Sequence, residues 1–381
     1  MDFDFETPID RHGSGSLKWD LYGRNVLPLW IADMDFRAPP AVIDALHRRV
    51  DHGVFGYTHA PDALVGIIVE RLHVRYEWEI DPAWIVWLPG LVSGLNVACR
   101  AIGTDGDAIV TLTPVYPPFL EAPALHRREL VEVPLTQDAQ RCWIIDFARL
   151  KAAIRPHTSM LLLCNPHNPV GRAYTREELT QLAAIAESHN LVICSDEIHC
   201  DLVLDADKRH VPTASIDASV AARTITLMAP SKTFNLPGLG CGFAIIPDAA
   251  LRERYQRAMS GIVPYVNALG YTAALAAYRD SGAWHSALID YLRANRGRVV
   301  AAVAGISGLQ VNHIEATYLA WIDARELDVA DPAVFFQAAG VALSDGAEFG
   351  APGFLRLNFG TSWATLDEAF DRMRAAVGNP S

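Results

Sequence analysis

TITLMAPSKTFN, residues 224–235, passes from five residues of strand character into a turn marked by proline and serine, and Lys232 stands in that turn. A strand that is apolar throughout, rather than alternating, is one buried on both faces, as in a parallel sheet covered by helices. Further strand candidates, most of them continuous apolar runs, lie on either side in DAIVTLT (107–113), ELVEVPL (129–135), SMLLLCN (159–165), LVICSDE (191–197) and GFAII (242–246). Helical periods lie between them, most clearly in TREELTQLAAIAESHN (175–190), where Thr175 and Glu178 form a capping box. Strands alternating with helices across short turns predict the α/β class with a mostly parallel sheet. Toward the C-terminus the pattern predicts a helix from Trp284 to about Ile306, then strand TYLAWID (317–323), helix PAVFFQAAGV (332–341) and strand FLRLNFG (354–360). A last helix, TLDEAFDRMRAAV (365–377), is boxed by Thr365 and Glu368 and completes a smaller second domain.

With 381 residues, 51% of them hydrophobic, the chain can bury a core large enough for two domains. Lys and Arg number 32 against 44 Asp and Glu, a net charge of −12, and no basic cluster could follow a phosphate backbone. No nucleic-acid partner is therefore expected. The first residues, MDFDFETPID, are acidic where a signal peptide is basic and apolar. No apolar run approaches the roughly 20 residues that cross a bilayer, so the expectation is a cytoplasmic protein with no membrane partner. Six cysteines (Cys99, Cys142, Cys164, Cys194, Cys200, Cys241) are scattered without a C-x-x-C pair and read as reduced core residues, with neither a disulfide framework nor a metal site.

In open α/β sheets ligands sit beyond the carboxyl ends of the strands. Four strand ends run into polar turns: TPVYPPF (113–119), CNPHNPVG (164–171), SDEIH (195–199) and APSKTFN (229–235). An ordinary lysine at Lys232 would snorkel to water. At the end of a buried strand, desolvation instead lowers the amine's pKa, and an unprotonated amine can form a Schiff base. Asp196 and Glu197 end the neighbouring strand, where a carboxylate needs a cationic partner. A helix cap, an ion pair with an arginine, or the protonated ring nitrogen of pyridoxal 5'-phosphate (PLP) would each serve. A metal site built from Asp196, Glu197 and His199 lacks a second ligand cluster at recognisable spacing. LPGLVSGLNVACRAIG (88–103) reads as a loop entering a helix, whose free N–H groups and positive dipole end suit a phosphate, with the Ser231 hydroxyl as a further donor. Tyr116, with prolines on both sides, either packs in the core or lies against a flat cofactor. Asn165 and Asn168 either form Asx turns, or one of them turns inward to a phenolic oxygen.

Taken in order, CNPHNPVGR, SDEIH, APSKTFN and RLNFG resemble the fold-type I PLP enzymes, the aspartate aminotransferase superfamily, over almost the whole chain. KWD (18–20), WIADMDF (30–36), GYT (56–58), TPVYPPF and SDEIHCDL (195–202) resemble its cystathionine β-lyase and cysteine-S-conjugate β-lyase branch. The resemblance implies a large domain at 46–283 with a mostly parallel seven-stranded sheet. It also implies a small α+β domain built from residues 1–45 and 284–381. It makes Lys232 the Schiff-base lysine and the acid/base at the substrate's Cα, Asp196 the pyridinium partner, and Tyr116 the stacking ring. Asn165, Asn168 and His199 fall beside the cofactor, the last two near its phenolic oxygen, and Val92, Ser93 and Ser231 fall on the phosphate side. Arg356 matches the clamp on the substrate α-carboxylate, and Ala32 and Trp363 fall on the substrate side. Tyr57 matches a tyrosine that crosses into the neighbouring subunit's site, which implies a homodimer.

Two departures stand out. Gly240 occupies the place, eight residues after the lysine, where many relatives in the wider superfamily carry a phosphate-binding arginine; the β-lyase branch also tends to lack it. TSW (361–363) follows RLNFG where β-lyases often carry a proline and an arginine. The implied reaction is cleavage of L-cystathionine or another S-substituted L-cysteine to a thiol, pyruvate and ammonia. An aminotransferase is the alternative, and a binding or regulatory protein that kept the fold is a third reading.

Overall fold

Seven strands build the large sheet: β1 (Ile85–Leu88), β2 (Ala108–Thr113), β3 (Glu129–Pro134), β4 (Thr158–Cys164), β5 (Val192–Asp196), β6 (Thr224–Met228) and β7 (Gly242–Ile245). Their spatial order is β1-β7-β6-β5-β4-β2-β3. Strands β2 to β6 run parallel, and β7 is antiparallel to both β6 and β1. This computed structural model describes residues 3–378; Met1 and Asp2 of the acidic N-terminus and residues 379–381 lie outside it. The mostly parallel seven-stranded sheet expected from the sequence forms, and six of its strands fall on the candidates named above. The seventh, β1, is an addition: IVWL is four residues long and sits on the sheet's edge, too short for its period to be read.

Successive residues of these strands face opposite layers. Val110, Leu112, Leu161, Leu163 and Ile193 pack with Leu179 and Leu182 of α2 (Arg176–Ser188). Ile109, Met160, Leu162, Cys194 and Ile225 pack on the other face with Leu91 and Leu95 of α1 (Leu91–Ala101). Helix α2 starts with the predicted box, in which the Thr175 hydroxyl accepts from Glu178 N–H and the Glu178 carboxylate accepts from Thr175 N–H. All six cysteines are free thiols, five of them buried. Among the described residues no helix is long and apolar enough to cross a membrane.

A four-stranded antiparallel sheet follows the long helix α3 (Gly282–Ala304), in the order β8-β9-β11-β10. These are β8 (Gln310–Val311), β9 (Leu319–Asp323), β10 (Ser344–Asp345) and β11 (Phe354–Asn358). Phe5, Leu29, Met34 and Phe36 share one core with Leu288, Val299, Leu319, Leu357 and Phe370, so the N-terminal segment packs on this C-terminal unit. Leu27–Pro28 pairs in parallel with Val341–Ala342 and stitches the two together. The last helix, α4, runs Trp363–Gly378, two residues earlier than predicted. Its first turn is capped by Ser362, whose hydroxyl accepts from Thr365 N–H at 3.3 Å, and the predicted Thr365/Glu368 box is replaced. Glu368 pairs instead with Arg372 one turn on.

Candidate active site

Strand register explains why the polar turns meet. Cys164 lies opposite Asp196 and Asp196 opposite Leu227, so β4, β5 and β6 end level and deliver their turns side by side. The turns enclose a cavity of about 320 Å³ together with the N-terminus of α1 and Arg356 of β11. Lys232, Asp196, His199, Asn168, Tyr116 and Ser231 line it on the sheet side. Val92 and Ser93 line it from α1, and Ala32 from the N-terminal segment.

Two buried atoms of the cavity, His199 Nδ1 and Arg356 Nε, have no partner, and burial displaces the titration of its ionisable groups. Burial pushes the Asp196 carboxyl up to about 7, against the Ile198 N–H bond that lowers it, and neighbouring Glu197 adds to the rise. Burial lowers the Lys232 amine to about 8, with Arg356 acting in the same direction, so an unprotonated amine is accessible near neutral pH. Its Nζ donates to the Ala32 carbonyl at 2.6 Å. Burial holds His199 down at about 3, and its Nδ1 has no hydrogen-bond partner. Arg356 is 4% exposed, donates only to neutral groups (Asn168 Oδ1 at 3.1 Å, Trp30 O at 2.9 Å, Ser344 Oγ at 3.3 Å) and leaves Nε unpartnered. A buried guanidinium without a carboxylate is costly, and burial depresses it to about 10. No side chain caps the N-terminus of α1 at Gly90, so its first N–H groups face the cavity without intrahelical acceptors.

These demands fit PLP and an amino acid. An anionic phosphate suits the uncapped end of α1 and Ser231, a protonated pyridine nitrogen suits Asp196, a carbonyl carbon suits the Lys232 amine, and a carboxylate suits Arg356. Tyr116, whose N–H donates to Asn168 O at 3.1 Å, presents its ring to the same space. At Gly240 the backbone has φ of 58°, and a Cβ would meet the carbonyl of Pro89, a cavity residue, at 3.0 Å. An arginine at this position would be strained in backbone and crowded at its root.

Three residues singled out in the sequence do not line this cavity. Asn165 is fully buried and satisfied structurally: its amide donates to Val211 O at 3.2 Å and its oxygen accepts from Tyr174 N–H at 3.3 Å. Trp363 stacks on Tyr291 at 5.6 Å beneath Arg298, because the cap at Ser362 turns it into the first turn of α4. Tyr57 is fully exposed, within the surface run of Val54 and Phe55. Conversely, no local pattern marks Tyr318 as part of the site. It is 1% exposed, donates from its hydroxyl to Ala32 O at 3.1 Å, and packs edge-on against His199 with centroids 6.0 Å apart. Ser344, which donates to Trp30 O at 2.6 Å and accepts from Arg356, was also unmarked. Both act across distances in sequence that no local pattern encodes.

The aminotransferase class I and II family matches residues 24–373. Cystathionine beta-lyase PatB of Bacillus subtilis (strain 168) is 35% identical over 386 residues, covering 98% of this chain and 99% of its own. A crystal structure of OvoB superposes with a TM-score of 0.97 at 46% identity over 100% of both chains. That of cystalysin from Treponema denticola, which contains a pyridoxal 5'-phosphate cofactor, superposes with a TM-score of 0.95 at 33% identity over 99% of each chain. Fold, cavity and sequence agree, and the chain belongs to the aminotransferase class I and II family.

Proposed function

We propose that this protein is a PLP-dependent carbon–sulfur β-lyase that cleaves L-cystathionine or other S-substituted L-cysteines to a thiol, pyruvate and ammonia. The observation that carries the reading is the pairing of two cations in one cavity: half-buried Lys232, with an amine that deprotonates near neutral pH, and buried Arg356, with no carboxylate of its own. Relatives named as cystathionine beta-lyases, matched at 32–35% identity over nearly their whole length, support it.

When bound, PLP supplies an electron sink for the pair left at the substrate's Cα. The Arg356 fork binds the α-carboxylate and orients the Cα–H bond toward the lysine. Lys232, unprotonated, takes the Cα proton as general base, and the departing thiolate carries off the Cβ–S electron pair. Asp196 would hold the proton on the pyridine nitrogen, and the N–H groups of Val92 and Ser93 with the Ser231 hydroxyl would hold the phosphate. Tyr116 would cover the ring, and Asn168 and neutral His199 would stand on the side of the phenolic oxygen. Ala32 contributes its carbonyl to the lysine. Ile31, Leu91 and Pro237 wall part of the cavity with apolar surface.

The working unit is a homodimer in the cytoplasm, with a large cofactor domain over 46–283 and a small domain from 1–45 and 284–381. Tyr57 of each protomer completes the site of its partner, which accounts for its full exposure in the single chain. Lys232→Ala tests the assignment. Loss of turnover with retained fold supports it, and near-normal turnover excludes it.

A further inference from the structure

Residues 30–36 pass along the cavity as a strap, bent at Ile31–Ala32 and Asp35–Phe36, that belongs to no strand or helix. Its carbonyls hold both cations of the site: Ala32 O accepts from Lys232 Nζ at 2.6 Å, and Trp30 O accepts from Arg356 Nη2 at 2.9 Å. Two asparagines grip the same strap immediately beside those cations. Asn235, in the lysine turn, accepts from Met34 N–H at 3.1 Å and donates to Met34 O at 2.9 Å and Phe36 O at 2.8 Å. Asn358, at the end of β11, donates to Ile31 O at 2.7 Å and Asp33 O at 2.8 Å, and its own oxygen is fixed by Gly360 N–H at 2.7 Å. The strap's other flank is held by ions. Lys18, fully buried, donates to Asp33 O and Asp35 Oδ2 at 2.8 Å each, and Arg11 bridges Asp33 and Asp35.

Asn235 sits at φ 55°, a left-handed conformation that asparagine tolerates and most side chains do not. A backbone held there, with all the amide's bonding directed at one peptide segment, is built for that contact. We infer that Asn235 and Asn358 are positioning residues, which clasp the 30–36 strap from the lysine turn and from β11 and so set the Lys232 amine and the Arg356 guanidinium at a fixed separation. The inference rests on the proposed lyase chemistry for its kinetic consequence, because base and carboxylate clamp must address one Cα together. Asn235 ties the lysine turn to the strap at Met34 and Phe36 and governs the proton transfer, while Asn358 holds Ile31 and Asp33 on either side of Ala32 and so bears on both the carboxylate clamp and the lysine.

Two variants test this, Asn235→Gly, which tolerates the left-handed backbone, and Asn358→Ala. One misplaced contact is worth about tenfold. In PLP-loaded protein, Asn235→Gly should lose about tenfold in kcat with KM changed less than about threefold. Asn358→Ala should raise KM about tenfold and lower kcat as well, since it frees the residues on both sides of Ala32. A second readout uses the PLP-free protein: acetylation of Lys232 by acetic anhydride as a function of pH, quantified by mass spectrometry. In the wild type the half-reaction lies at about pH 8, set by burial and Arg356 against Asp33 and Asp196, with His199 neutral. It moves to lower pH in Asn235→Gly, where the lysine turn is released from the strap, and in Asn358→Ala, where Ile31 and Asp33 on either side of Ala32 are released, because in both Ala32 O no longer holds the ammonium. A half-reaction unmoved or raised in either variant overturns the clasp, as does an unchanged KM in Asn358→Ala. Should the loaded wild type turn over no S-substituted cysteine, the lyase reading fails, and the PLP-free titration still decides the clasp.

Discussion

Replacing Arg356 by methionine separates substrate recognition from stability. The guanidinium makes three hydrogen bonds, all to neutral acceptors, and burial lowers it from 12.5 to about 10. That depression corresponds to about 3 kcal/mol of folding free energy lost to holding the charge in the cavity, at 1.36 kcal/mol per pH unit. The three bonds return about 1 kcal/mol each, so the substitution should be close to neutral for the substrate-free fold. The melting temperature should then move by no more than about 3 °C. Substrate binding has no such compensation. A charge-assisted carboxylate contact contributes roughly 1.5 to 3 kcal/mol, equivalent to about 10- to 160-fold in kcat/KM, expressed chiefly in KM. The assay is a Michaelis series with an S-substituted L-cysteine on PLP-loaded wild type and Arg356→Met, beside thermal melts of both. A KM within about twofold of the wild type would refute the carboxylate role, and a collapse of the melt would make Arg356 a structural strut instead.

Asp196→Asn should alter the pH dependence of the PLP-free fold. With the carboxyl raised from 3.8 to about 7, the native state holds a proton that the unfolded chain has released, so wild-type stability falls as pH rises through that window. Asparagine lacks this penalty and should gain on the wild type by up to about 4 kcal/mol above pH 7, read by urea unfolding at pH 5 and pH 8; a difference independent of pH would contradict it. Gly240→Arg should destabilise by about 1 to 2 kcal/mol through its positive φ and the Pro89 carbonyl, and an unchanged urea midpoint would remove that explanation for the missing arginine. Mixing inactive Lys232→Ala with a Tyr57→Ala variant, under conditions that exchange subunits, should restore about a quarter of the wild-type activity if each site takes Tyr57 from its partner. No recovery in confirmed mixed dimers would place Tyr57 outside the shared site.

Much of this could be read from local pattern. Continuous apolar runs located five of the seven strands, since burial on both faces leaves no other composition, the alternating ELVEVP located the half-exposed β3, and the polar turns ending β4, β5 and β6 located the cavity. The edge strand β1 was too short to carry a period. Where Asn165 and Trp363 point was not legible: two residues separate the amide of Asn168, which faces the cavity, from that of Asn165, which ties down Tyr174 and Val211, and a serine cap at the preceding residue redirects the tryptophan. Tyr318, Ser344 and the asparagine grip on the strap depend on pairings some 10 to 330 residues apart, which only the packed fold creates.

The most direct test is to incubate PLP-loaded protein with L-cystathionine, and in parallel with other S-substituted L-cysteines, without any 2-oxo acid, and to measure free thiol and pyruvate together. Equimolar thiol and pyruvate, lost in Lys232→Ala, is the predicted result. Neither product from any of them, with amino-group transfer on addition of a 2-oxo acid, would contradict the lyase reading and make the chain an aminotransferase.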